Sequence, residues 1–206
     1  GHSPHARRRD CRLPGHPDRH KLPGIEANTG SLGHGLAIGG GMALAGKIDQ
    51  KKYSVYVLMG DGEIAEGSVW EAAMSAGNYN LNNLCWIVDN NDCQIDGRVK
   101  DVMSIYPLAE KFRAFNFEVI EIDGHNHSQI LKAFDYFINH SKQDFGKPVC
   151  IIAHTLMGKG VSFMEDNYKW HGNAPNEEQA IQALKELDEY EKKIKSHKFQ
   201  FELEQQ

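Results

Sequence analysis

The chain has 206 residues, of which 40% are hydrophobic and 25% are charged, and its formal net charge is −5. This length and apolar content suit one α/β domain around a single core, without a second complete domain. No apolar stretch reaches the length of a membrane span, and the start of the sequence lacks the apolar core of a secretory leader, so we expect no membrane association and no export.

Positive charge is concentrated at the start of the chain. Residues 1–21 contain six lysines or arginines and two aspartates, which leaves +4 there and −9 on the remainder. A basic arm can bind nucleic acid, but this one has no interleaved aromatic residues and no recognisable reader motif, so we expect no nucleic-acid partner. Because residues 1–23 have several Pro and Gly breaks and few apolar residues, we predict an irregular basic segment there.

Cysteine usage bears on the compartment. Cys11, Cys85, Cys93 and Cys150 form no Cys-x-x-Cys pair. Cys85 and Cys150 fall in apolar runs, where a free thiol packs as a small hydrophobic group. This pattern favours a reducing, cytoplasmic setting.

Strand and helix patterns alternate through the rest of the chain. A helix rich in small residues is predicted at 33–46; its Gly-x-Gly spacing lacks the preceding strand and the following acidic residue of a dinucleotide-binding loop. Apolar and β-branched runs predict strands at 54–59, 84–89, 117–122 and 149–154, and helical periodicity predicts helices at 66–79, 107–115, 126–140 and 177–195. The alternation indicates an α/β fold with a doubly wound, mainly parallel sheet and helices on both faces. We assign the domain to residues 24–195 and a polar tail to 196–206.

Polar residues follow two of the predicted strands directly. The first strand stops at Gly60-Asp61-Gly62 and the second at Asn90-Asn91, with one helix between them. A right-handed crossover makes the two strands parallel and brings both tips to the same edge of the sheet. There the Asp61 carboxylate and the Asn91 amide offer hard oxygen ligands for Mg²⁺ or Ca²⁺, with phosphate oxygens in the remaining positions. Gly60 and Gly62 would let the backbone approach a diphosphate closely.

A structural interpretation competes with this one. Gly-Asp-Gly alone is an ordinary tight turn, and Asn-Asn alone is an ordinary loop. Both occur here at corresponding ends of two strands joined by one helix, where open α/β sheets bind ligands. The pair therefore favours a metal site for a diphosphate.

Gly60-Asp61-Gly62 followed by Asn90-Asn91 resembles the metal motif of thiamine diphosphate enzymes. Further segments are similar to transketolase in the same order, namely Gly15-His16-Pro17, Pro23-Gly24-Ile25-Glu26, Thr29 to Gly35, Gly158-Lys159-Gly160 and Trp170-His171-Gly172. The resemblance covers about residues 15–190 and implies the thiamine diphosphate-binding fold of the N-terminal transketolase domain.

The resemblance also implies roles for individual residues. It adds the backbone carbonyl of Cys93 to Asp61 and Asn91 as metal ligands. It makes His16 and His171 catalytic residues that face the donor sugar and the cofactor, where imidazoles can transfer protons. Glu66 is taken as a third catalytic residue; it matches a family glutamate at the interface between subunits and is also placed to satisfy N–H groups at a helix start. The implied cofactor-binding residues are Gly30, Ser31, Leu32, Gly60, Asp61, Gly62, Glu63, Asn91, Lys159 and His171.

In transketolases a second domain binds the aminopyrimidine and supplies its activating glutamate. We therefore expect one subunit of a split transketolase of the pentose phosphate type, inactive alone. It would act on sugar phosphates with a C-terminal partner subunit carrying the pyrimidine-binding domain, as a dimer of heterodimers. The alternatives are a component of another thiamine diphosphate enzyme, such as a 2-oxo acid decarboxylase or a deoxyxylulose-phosphate synthase, or a truncated non-catalytic remnant.

Overall fold

Strands and helices alternate along residues 16–143 and 146–203, the part of the chain that the computed structural model describes. The strands are β1 (Val55–Gly60), β2 (Leu84–Asn90), β3 (Cys93–Gln94), β4 (Gly97–Arg98), β5 (Glu118–Asp123) and β6 (Val149–His154). The α-helices are α1 (Gly35–Ile48), α2 (Gly67–Asn78), α3 (Val99–Val102), α4 (Leu108–Ala114), α5 (His127–His140) and α6 (Glu177–Leu203). Two 3-10 turns lie at Gly62–Ala65 and Tyr168–Trp170.

The predicted elements are present, with bounds shifted by a few residues at most in all but one. β6 has the predicted bounds, whereas α6 runs on to Leu203, past the predicted domain boundary at 195. Between the strand predicted at 84–89 and the helix predicted at 107–115, where no element is predicted, the chain forms the short antiparallel ribbon β3–β4. Most of the predicted basic segment, residues 1–15, lies outside the described residues.

Four strands form one parallel sheet in the order β1-β2-β6-β5. Gly60 pairs with Asp89, Asn90 pairs with His154, and Asp123 also pairs with His154. The carboxyl ends of all four strands therefore share one edge, as the crossover argument predicts, and the loops that follow them meet there.

Helices cover both faces of this sheet, which confirms the doubly wound α/β class. On one face α1, α2 and α4 bury Leu36, Val69 and Phe112 against Trp86 and its neighbours. On the other face α5 buries Ala133 and Phe137 against β2, β5 and β6. Within the described residues no helix is both long and apolar enough to cross a membrane.

Two glycines of α1 provide a matched pair of substitutions. A Cβ added to Gly39 would collide with a methyl group of Val57, whereas a Cβ at Gly41 would meet no atom within 4 Å. We expect Gly39→Ala to lower the free energy of unfolding by about 1–3 kcal/mol through overpacking. Gly41→Ala should raise it by about 0.5–1 kcal/mol, since alanine favours the helix. Urea denaturation measures both, and a stabilising Gly39→Ala would contradict the close packing of α1 on β1.

Candidate functional site

The Asp61 carboxylate is buried at the end of β1 and is 1% exposed. Its Oδ1 accepts from the amide of Gly62 at 2.8 Å. Its Oδ2 accepts from the side-chain amide of Asn90 at 2.9 Å and from the backbone N–H of Asp92 at 2.6 Å. The carboxylate at the tip of β1 is thus held directly against the turn that follows β2.

Asn90 links the Asp61 carboxylate to Tyr106. It is 8% exposed, and its Nδ2 donates to Asp61 and also to the hydroxyl oxygen of Tyr106 at 2.8 Å. Within the described residues Asp61 and Asn90 are the buried polar side chains. Asn90 therefore orients the carboxylate, and Tyr106 orients Asn90.

Asn91 lies in a turn closed by its own side chain. Its Oδ1 accepts from the amide of Cys93 at 2.8 Å, and its Nδ2 donates to Asp89 Oδ2 at 3.2 Å. The other oxygen of Asp89 accepts from the hydroxyl of Thr155, which follows β6. The predicted ligands Asp61 and Asn91 are therefore brought to one rim of the sheet, where three strands end.

Burial raises the pKa of Asp61, and the charge of Asp89 raises it further, against the opposing effect of the donors Asp92, Asn90 and Gly62. A buried anion beside further carboxylates is stabilised by a cation. The oxygen donors of Asp61 and Asn91 suit a hard divalent ion such as Mg²⁺ or Ca²⁺. In the described ranges no group of three or more His, Cys, Asp or Glu side chains is placed to hold a metal ion, so an ion here would depend on amide, carbonyl and phosphate oxygens as well.

A second loop, residues 30–33, is fastened to the same rim. The amide of Gly33 donates to Glu63 Oε1 at 2.8 Å, and the hydroxyl of Ser68 donates to the carbonyl of Gly33 at 2.9 Å. Gly33 has a φ of +81°, and a Cβ there would lie 2.6 Å from Glu66 Cβ, so only glycine fits. Leu32, next to this anchor, is 58% exposed, and its predicted contact with the cofactor rings stays a prediction. The carboxylate of Glu63, predicted to bind the cofactor, is thus engaged with the loop.

His16 and Gly30, two predicted site residues, lie against each other. A Cβ on Gly30 would come within 2.8 Å of the His16 ring, and Gly30 has a φ of +143°. Both residues are exposed. The structure thus places His16 against the loop that carries Ser31 and Leu32.

Glu66 is the N-cap residue of α2, but its side chain makes no capping hydrogen bond. The expectation that its carboxylate satisfies the free N–H groups of the helix start is therefore wrong. The reason is geometric: its Cβ and Cγ pack beside Gly33, and the residue remains exposed. The interface role implied by the resemblance stays a prediction.

Lys159 and His171 lie on the segment between β6 and α6. Both are exposed, and within the described ranges no side-chain hydrogen bond or ion pair of either residue is present. Gly158 and Gly160 have φ angles of +72° and +97°, and the backbone of Met164 would collide with a Cβ on Gly158. The Gly-Lys-Gly sequence is therefore required by a tight loop that leaves the Lys159 ammonium projecting to solvent.

An apolar cavity of about 450 Å³ opens beside Asn91, on the sheet face covered by α5. Its polar rim comprises Asp89, Asn91, His125 and Thr155. The Nε2 of His125 accepts from the amide of Leu156 at 2.7 Å, which fixes the start of the segment after β6. A ligand at the rim therefore has both polar anchors and an adjacent apolar recess.

Four of these residues are absent from the site predicted from sequence: Asp89, Asn90, Tyr106 and Thr155. Asp89 and Asn90 have a local signal, since they are the last residues of the strand before Asn91. Tyr106 and Thr155 carry no local signal, because only the tertiary fold brings them to the rim.

The fold and this rim define an α/β protein whose candidate ligand site lies at the carboxyl ends of parallel strands. Residues 5–201 match the family described as transketolase, thiamine diphosphate binding domain. The chain belongs to this family, which confirms the resemblance read from its motifs.

Named relatives and a solved structure agree. The chain is 45% identical over 182 residues to an apulose-4-phosphate transketolase subunit of Phocaeicola vulgatus, covering 88% of this chain and 63% of that protein. It is 41% identical over 176 residues to the 6-deoxy-6-sulfo-D-fructose transketolase subunit SqwG of a Clostridium species, covering 85% and 62%. The transketolase structure from Campylobacter jejuni superposes with a TM-score of 0.76 at 34% identity, covering 87% of this chain and 28% of that one. The chain thus spans less than two thirds of the length of these relatives.

Proposed function

We propose that this chain is the diphosphate-binding subunit of a transketolase that moves a two-carbon ketol unit between sugars. The buried Asp61 carboxylate, held against the Asn91 turn, is the observation that carries the proposal. In this proposal Mg²⁺, or Ca²⁺ in its place, is bound by Asp61, Asn91 and the backbone carbonyl of Cys93. The diphosphate of the cofactor would supply further oxygen ligands.

When bound, thiamine diphosphate supplies a carbon nucleophile that cleaves the C–C bond beside a ketose carbonyl. The chain's own residues bind, orient and handle protons. Gly60 and Gly62 admit the diphosphate to the backbone, and Lys159 contributes a positive charge. Leu32, with Gly30 and Ser31, borders the rings. His16 and His171 transfer protons to and from carbonyl and hydroxyl oxygens of the sugar.

The partner in this proposal is a second polypeptide that carries the pyrimidine-binding domain and its activating glutamate, in a dimer of heterodimers. The name of the Phocaeicola relative, which describes one subunit of a transketolase, supports it. Glu66, exposed at the start of α2, would then contact the partner. The cytoplasmic setting belongs to the same proposal, since Cys85, Cys93 and Cys150 are free and buried.

We infer that the donor is a ketose with a terminal anionic group. One relative is named for apulose-4-phosphate and another for 6-deoxy-6-sulfo-D-fructose, and both names describe such sugars. Sugar phosphates and sulfonated sugars are therefore the substrates to compare.

Calorimetry with thiamine diphosphate, in Mg²⁺ and in EDTA, tests the binding step. We expect heat of cofactor binding in the Mg²⁺ buffer and none in EDTA, both with and without the cognate partner polypeptide. Adding that polypeptide and a ketose phosphate should then give ketol transfer to an aldose. A mixture that binds no cofactor in Mg²⁺ would overturn the proposal. Release of CO₂ from pyruvate would favour a different thiamine diphosphate reaction.

A further inference from the structure

Arg98 joins two parts of the site that are far apart in sequence. Its Nη1 donates to Asp166 Oδ1 at 2.6 Å, and its Nη2 donates to the backbone carbonyl of Asp166 at 3.0 Å. Nη1 also lies 3.4 Å from the thiol sulfur of Cys93, the residue opposite Arg98 in the β3–β4 ribbon. The planar guanidinium thus holds a side-chain oxygen and the main-chain carbonyl of the same residue through two different nitrogens, a fixed fork that an ammonium group lacks.

Asp166 is the closing residue of the loop after β6. Its amide donates to the carbonyl of Met157 at 2.9 Å, and its φ is +55°, a left-handed conformation uncommon for residues other than glycine. The next residue, Asn167, caps the turn Tyr168–Trp170 through a bond to the amide of Lys169 at 3.2 Å. Holding Asp166 therefore fixes the base of the loop that carries Lys159 and the start of the turn Tyr168–Trp170, which His171 directly follows.

The other end of the connection lies in the metal motif. Cys93 begins the ribbon, and its amide donates to Asn91 Oδ1. The residue before it, Asp92, bonds Asp61 through its amide and accepts from the amide of Lys100 at 3.1 Å. Arg98 is thus connected through Cys93 and Asp92 to both predicted side-chain ligands.

We propose that Arg98 is a positioning residue that couples the metal motif to the segment carrying Lys159 and His171. Occupation of the motif then orders that segment through the ribbon. The coupling rests on the function proposed above, whereas the Arg98–Asp166 connection does not.

The magnitude of the interaction decides which measurement is informative. The two side chains are 26% and 55% exposed, and ion pairs of such exposure contribute little to global stability. Arg98 lowers the pKa of Asp166 mainly through the side-chain hydrogen bond. Melting temperature is therefore a poor readout, and exchange of individual amides is a good one.

Hydrogen exchange on the full chain without ligand tests the connection. In Arg98→Ala the amides of Asp166 and His171 should exchange about fivefold faster, while those of β2 remain unchanged. Arg98→Lys should increase these exchange rates by an intermediate amount, because lysine keeps the positive charge but lacks the paired N–H groups of the guanidinium. Arg113→Ala is the matched control, since Arg113 also makes exposed ion pairs, with Glu110 and Glu121 at 3.8 and 3.7 Å; it should leave residues 157–171 unchanged.

If residues 157–171 of Arg98→Ala exchange at the same rate as in the wild type, the proposed connection is wrong. Faster exchange throughout β2 would show that Arg98→Ala does not fold. In that case Asp166→Ala, which removes the more exposed partner of the same hydrogen bond, gives the test instead. Wild-type exchange of the segment in that folded variant would likewise overturn it.

The same measurement with Mg²⁺ and thiamine diphosphate tests the coupling. In the wild type, ligand should slow exchange at residues 89–94 and at 157–171. In Arg98→Ala it should slow exchange at 89–94 alone, with cofactor affinity about tenfold weaker. Equal protection of both segments in this variant would overturn the coupling. If the ligands slow exchange at neither segment of the wild type, both the coupling and the proposed function are wrong. The comparison without ligand still decides whether Arg98 holds Asp166.

Discussion

Asp61→Asn is expected to remove Mg²⁺-dependent binding of thiamine diphosphate. The substitution keeps the shape of the side chain but replaces a carboxylate oxygen and its charge, so the ion loses its one anionic protein ligand. Changes in groups that only support a metal ligand cost about 10–100-fold in affinity, and loss of a ligand should cost about 100-fold or more. Calorimetry with the cofactor in Mg²⁺ measures the change in Kd.

The folded state should tolerate this substitution. One amide oxygen still accepts from Asn90 and Asp92, while the bond from the Gly62 amide is lost. The cost in unfolding free energy should be about 1 kcal/mol. Asp135→Asn, at an exposed position of α5, is the matched control and should bind like the wild type. Cofactor affinity within a factor of two of the wild type in Asp61→Asn would contradict the metal assignment.

Phe112→Ala is expected to have the largest effect on stability. Phe112 is fully buried, stacks on Trp70 at a centroid distance of 5.3 Å and meets Trp86 edge-on at 4.1 Å. Removing the ring leaves a cavity between α2, α4 and β2, and substitutions of this kind cost about 3–5 kcal/mol. Chemical denaturation gives the change in unfolding free energy.

Leu131→Ala is the comparison for this prediction. Leu131 is a large apolar residue of α5 that is 65% exposed, so its truncation should change stability by less than about 0.5 kcal/mol. A loss of similar size in both variants would show that burial against the sheet does not set the cost.

Local pattern is sufficient to predict the elements that frame the site. The bounds of β6 follow from the sequence because five successive apolar residues, Val149 to Ala153, are buried between helices on both faces. Asp61 and Asn91 are predicted to share an edge because the helix between their strands forces a parallel crossover. Both inferences depend on spacing along a short stretch of chain.

Contacts between residues far apart in the chain leave no such signal in the local sequence. The strand order β1-β2-β6-β5 depends on how α4 and α5 pack, and no local pattern reports it. The bonds of Tyr106 to Asn90 and of Arg98 to Asp166 join residues that are 16 and 68 positions apart in the sequence. The position of Glu66 is typical of a capping acid, but packing beside Gly33 directs its side chain elsewhere.

A crystal structure of the chain with Mn²⁺ and thiamine diphosphate, in the presence of its cognate partner polypeptide, tests the central claim most directly. Anomalous scattering should locate the ion between the Asp61 carboxylate, the Asn91 side chain and the Cys93 carbonyl, with the diphosphate bound to it. An ion and diphosphate bound away from Asp61 and Asn91 would contradict the account.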